Sequence, residues 1–164
     1  MRSRMKFFSF FFFLISINAF AQDLFIIKKS MNPKNVLHFK ANVNNCKLAS
    51  PAVSAYWVMG EERGQIEGLT NQEKPYFQPK ISYSSSSEAD FSIGAMEKMG
   101  SKLPDQTIKV HLVNCLPKAY LEIEGREIQL TDINVSVSFL MTVREMVISG
   151  VSASGTRVSK KIVP

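Results

Sequence analysis

The sequence predicts an all-β protein: an antiparallel meander of eight or nine strands closing into a barrel, with a two-sheet sandwich as the alternative architecture. Three observations carry this. Apolar residues recur at every second position in one run after another, the period of a strand buried on one face. Clusters of turn-forming residues separate the runs at short intervals, which favours a sandwich or barrel over a parallel α/β sheet. And in the body of the chain only one short segment carries a helix-start signature.

The alternation is read directly from the residues. Leu37, Phe39, Ala41 and Val43 interleave with His38, Lys40 and Asn42. The same pattern returns in Val53, Ala55, Trp57 and Met59, in Ala89, Phe91, Ile93 and Ala95, and in Ile108, Val110 and Leu112. It continues in Ala119, Leu121 and Ile123, and in Ile133, Val135, Val137 and Phe139. Turn signals fall between them at Asn32-Pro33, Asn44-Asn45, Ser84 to Ser87, Gly100 to Pro104, Asn114 to Pro117, and Gly125. Gly125, between Glu124 and Arg126, predicts a tight hairpin. The strand through Trp57 is apolar on both faces, since Tyr56 and Val58 oppose Trp57 and Met59, and is expected to be covered on both sides. Thr70-Asn71-Gln72-Glu73 matches a capping box, and Pro75 keeps any helix there short, so one or two helical turns are expected at about residues 70–77.

The N-terminus has a separate logic. Arg2, Arg4 and Lys6 form a basic segment, Phe7 to Ile17 an apolar stretch broken only by Ser9 and Ser16, and Ala19-Phe20-Ala21 a small-residue cleavage site. The apolar stretch is shorter than the ~20 residues that span a bilayer. Residues 1–21 are therefore expected to be a secretory signal peptide and 22–164 one all-β domain, exported to the periplasm or secreted. No membrane span is expected after cleavage. Removing the signal takes 20 basic residues to 17 against 14 acidic ones, a net charge of +3. The remaining positive charges are scattered, where nucleic-acid binding requires a clustered basic face.

The chain resembles an exported bacterial family, domain of unknown function 4833. The resemblance rests on the opening strand Leu24-Phe25-Ile26-Ile27 before Asn35-Val36, and on Tyr56-Trp57. It rests also on Tyr76 and Tyr83, and on the closing stretch Gly155-Thr156-Arg157-Val158-Ser159-Lys160-Lys161-Ile162-Val163-Pro164. It implies a compact, exported, strand-rich domain and supplies no activity or catalytic residue. The two cysteines depart from the family's pattern.

Those cysteines, Cys46 and Cys115, predict a disulfide, because an exported chain with an even cysteine count meets an oxidising compartment. In a simple meander they come after the second and sixth strands, and loops after even-numbered strands share one end of the sheet. Metal, nucleophile and carboxylate signals are weak. His38 and His111 stand singly on the polar sides of their strands, no nucleophile elbow is present, and Glu61-Glu62 and Glu122/Glu124 fall in a turn and on a strand. No cofactor and no enzymatic activity are expected. The aromatic residues Phe39, Trp57, Tyr76, Phe77, Tyr83 and Phe91 would either fill the core or line a barrel cavity for a small apolar or amphipathic ligand. The expected function is that of an exported, non-enzymatic binding protein. The alternatives are a structural or protein-interaction module of the cell envelope and, weakest, a hydrolase of envelope polymers.

Overall fold

The computed structural model describes residues 23–99, 102–103, 106–138 and 143–163. Residues 1–21, where a signal peptide is expected from the sequence, and Gly100, Pro104 and Phe139 lie outside the described residues. Of the described residues 67% are strand and 8% helix, so the all-β class holds. Its strands are β1 (Asp23–Lys29), β2 (Asn32–Asn44), β3 (Lys47–Met59), β4 (Gln65–Gly68), β5 (Lys80–Ser84) and β6 (Glu88–Ser92). They continue as β7 (Ile108–Val113), β8 (Leu116–Ile123), β9 (Arg126–Val137), β10 (Val143–Ser152) and β11 (Arg157–Ile162). Two four-residue helices, α1 (Lys74–Phe77) and α2 (Gly94–Glu97), interrupt them.

All the strands belong to one mixed sheet curled into a half-barrel. The long strand β9 organises it. Arg126 to Gln129 pair antiparallel with β8, while Asp132 to Val135 pair in parallel with β1. Strand β10 runs along the opposite edge of β9 over both stretches, and β11 lies beside β10. One wing, β1 to β4, therefore leaves β9 beside the other wing, β8 back to β5, and the natural strand twist swings the two wings across each other. The sheet is thus a meander with one parallel join, which the period-two pattern had no means of revealing.

The alternating apolar residues meet between the wings. Ile27, Leu37, Phe39, Phe91, Ile108 and Ile133 are fully buried, and Phe25 stacks on Phe39 with ring centroids 4.5 Å apart. Phe91 lies 6.3 Å from Phe25 and 6.2 Å from Phe39. Burial of one such side chain contributes about 1.5–3 kcal/mol, so the interior of the half-barrel is held together by this aromatic stack.

Three hairpins turn through two residues that both adopt positive φ: Asn45-Cys46, Asn114-Cys115 and Glu124-Gly125. Such turns match the right-handed twist of the flanking strands. Cys46 and Cys115 are disulfide-bonded, with their Cα atoms 4.7 Å apart, so the bridge joins the β2–β3 tip to the β7–β8 tip. The pairing agrees with the sequence expectation, but its geometry does not. The parallel β1–β9 join leaves β2 and β7 antiparallel, and their tips would lie at opposite ends of a flat sheet. Crossing of the wings brings these corners together, and the Leu48 amide donates to the Ser86 carbonyl (2.8 Å) nearby.

Two further elements depart from expectation. Strands β4 and β5 are exposed along their whole length and lie outside the apolar runs read from the sequence. Ile93 and Ala95, read as a strand continuation, instead enter α2. The reason is contact: a β-carbon at Gly94 would overlap the carbonyl oxygen of Pro75, so α1 and α2 pack backbone against backbone.

Candidate functional site

At one rim of the half-barrel the inward-facing positions cease to be apolar. Along β1 the buried series Phe25, Ile27 ends in Lys29. Along β2 the series Ala41, Phe39, Leu37 ends in Asn35. Trp57 of β3 pairs with Leu37 on one side and with Glu67 of β4 on the other, which puts Glu67 on the same face. Lys29 is in register with Val135 of β9. The segment from Thr70 to Phe77 folds across this rim.

Glu73 is the junction. Its Oε2 accepts hydrogen bonds from the Thr70 amide (3.1 Å), the Thr70 hydroxyl (3.0 Å) and the Trp57 indole Nε1–H (3.1 Å), and its Oε1 accepts one from Lys29 Nζ (3.3 Å). This is half a capping box: the carboxylate returns to the Thr70 amide, but the Thr70 hydroxyl donates to the carboxylate instead of accepting from the backbone. Burial pushes the Glu73 carboxyl upward, yet the Thr70 and Trp57 hydrogen bonds and the Lys29 charge together hold it below its ordinary value. Lys29 Nζ also lies 4.3 Å from the Trp57 ring centroid and 5.1 Å from that of Phe77, so its ammonium is fixed by a carboxylate and two aromatic faces. Trp57 and Phe77 meet edge to face at 6.4 Å.

Lys29, Thr70 and Glu73 form a ridge shared by two hollows. One, of about 270 Å³, is the more polar of the two, with Asn32, Asn35 and Glu67 on its walls beside Trp57 and Met59. The other, of about 300 Å³, is apolar, with Tyr76, Phe77, Ala95, Val135, Val137 and Val143. Asn35 Oδ1 is buried and accepts no hydrogen bond from the described residues. The arrangement can hold a molecule that is polar at one end and apolar at the other. A larger groove of about 670 Å³ runs between the β8–β9 and β10–β11 hairpins, but hydroxyl and charged side chains dominate it and no aromatic residue reaches it.

Of the aromatic residues singled out in the sequence, Trp57, Tyr76 and Phe77 converge on the rim. Phe39 and Phe91 belong to the core stack, and Tyr83 stands half exposed on β5. Open space therefore lies at the rim, whereas Phe39 and Phe91 in the interior are packed rings. Strand β3 is covered on its inner face by α1, through Trp57 and Phe77. On its outer face Tyr56 stacks on His38 at 5.5 Å.

Both histidines have acidic neighbours. His38 Nδ1 lies 2.7 Å from Asp23 Oδ2, and the Tyr56 hydroxyl donates to Asp23 Oδ1 (2.9 Å). Burial, the Asp23 hydrogen bond and the Asp23 charge push the Tyr56 hydroxyl up to about 12. His111 Nδ1 lies 3.4 Å from Glu88 Oε1. Neither histidine borders any of the hollows just described, and among the described residues no three of His, Cys, Asp and Glu gather as a metal site.

Sequence reasoning did not single out Lys29, quoted Asn35 only for the family resemblance, and read Glu73 only as a cap. The signal was present: a charged or amide side chain on the buried parity of a strand end marks a rim, where a core face must meet water or a ligand.

No helix among the described residues is long and apolar enough to cross a membrane. No curated protein and no solved structure matches the chain. The pattern of the family described as Domain of unknown function (DUF4833) matches residues 25–161, which takes in both wings, the β9 junction and every side chain of the rim, and the chain belongs to that family.

Proposed function

We propose that this is an exported, non-enzymatic protein that binds one small amphipathic ligand at the rim of its half-barrel. The observation that carries the reading is the pair of adjoining hollows, one polar and one apolar, divided by a ridge of Lys29, Thr70 and Glu73. Sites for small molecules are commonly concave and mostly apolar with a few convergent polar groups. The N-terminal sequence pattern and the Cys46–Cys115 disulfide support export. Native mass spectrometry of freshly purified protein tests the reading: a bound mass of a few hundred daltons that organic extraction removes is expected. A bare protein that also takes up no added amphipath contradicts it.

A second reading, an interaction module of the envelope, draws on β5. Among the described residues this strand pairs only with β6, and it presents Ile81 and Tyr83 to solvent, so its outer edge offers a place for an extended segment of a partner. Cross-linking from Tyr83 in cell-envelope extracts separates the two readings.

A further inference from the structure

We infer that the polar hollow selects a cationic, ammonium-type head group. The inference rests on the amphipath-binding reading and specifies its ligand. The walls of that hollow offer acceptors. Asn35 Oδ1 is buried with no donor among the described residues. Glu67 receives only a 3.4 Å hydrogen bond from Gln65 and pairs with no cation among the described residues. The one cation on the wall, Lys29, is already neutralised by Glu73 and seated over Trp57 and Phe77. One surplus negative charge and one orphaned acceptor remain.

A carboxylate head would face Glu67 and Glu73 and could give no proton to Asn35. A hydroxyl head would satisfy Asn35 and leave the charge of Glu67 unmet. An ammonium meets both, donating to the Asn35 side-chain oxygen and balancing the charge of Glu67. The apolar hollow beside Tyr76, Val135 and Val137 then takes a short hydrocarbon tail.

Trp57 is the sole tryptophan of the chain, so its emission reports this site alone. Titration of the mature protein at pH 7 with octylamine, octanol and octanoate, matched in tail and different in head, tests the inference. Octylamine is expected to bind saturably and about tenfold or more tighter than either of the others, the factor of one charge-assisted hydrogen bond. Asn35→Leu and, separately, Glu67→Gln are expected to reduce that preference while octanol binding persists. Glu67 is exposed, so Glu67→Gln tests the charge even if Asn35→Leu does not fold. Equal or tighter binding of octanol or octanoate overturns the head-group inference and leaves the amphipath reading standing. Absence of binding by all three overturns both.

Discussion

Replacing Cys46 and Cys115 together by serine removes a cross-link between residues 69 apart in sequence. In the chain-entropy account, closing a loop of that length stabilises the folded state by roughly 4 kcal/mol. For a domain of this size each kcal/mol corresponds to about 2–4 °C in melting temperature, so a fall of roughly 10 °C is expected. The local backbone refines the test. Cys46 and Cys115 have φ of 59° and 65°, each the second residue of a two-residue hairpin turn. Left-handed backbone costs a residue with a β-carbon about 1 kcal/mol or more, which glycine avoids. The Cys46→Gly/Cys115→Gly variant should therefore melt above the double serine variant and below the oxidised protein. Circular dichroism melts of the three proteins, with a reduced wild-type control, give the order directly. Coincident melts of oxidised and reduced wild type, or thiol labelling without reduction, would refute the reasoning.

Gly94→Ala places a methyl group against the Pro75 carbonyl, which is backbone and cannot swing aside, so a loss of about 1–3 kcal/mol in urea denaturation is expected. The same variant should disturb Trp57 emission, because α1 carries Phe77 against the indole. The Glu73 carboxyl is held below its ordinary value, so its contribution is complete above pH 4.5 and is lost as the pH falls through the lower folded value. Trp57 emission should show an acid step with a midpoint below 4.5 that is missing in Glu73→Gln, and a step retained in that variant would contradict the assignment. Tyr56, raised to about 12, contributes stability that is complete below pH 10 and lost as the pH rises toward 12. Absorbance titration should find a tyrosine that ionises at about pH 12, and Asp23→Asn should bring it down.

Much of the fold was legible because burial on one face writes itself into every second residue. The runs through Phe39, Trp57, Val110, Leu121 and Val135 all became strands with those side chains inward. Gly125 made its hairpin, and Thr70 with Glu73 marked the approach to α1. Alternation identifies a strand's faces but not its neighbours, so the parallel pairing of β1 with β9 was hidden, and with it the crossing of the wings. The run through Ile93 and Ala95 has the same apolar composition whether it continues a strand or enters a helix, and packing of Gly94 on Pro75 decides the outcome. At the rim, Trp57, Tyr76 and Phe77 stood out as aromatic residues. Lys29 and Asn35 did not, because their meaning depends on which strands flank them and on a helix that folds over from elsewhere in the chain.

The most direct test of the central claim is a proton–nitrogen correlation spectrum of residues 22–164 during titration with octanol or octylamine. Its sole tryptophan gives one indole signal, from an N–H that donates to Glu73. That signal and the amides of Asn35, Glu73 and Val135 are predicted to shift together and to saturate, while those of Asn114 and Cys115 at the disulfide-bonded tip stay in place. Shifts confined to the hydroxyl-rich groove at Ser152 to Lys160, or a rim that never responds to either amphipath, would contradict it.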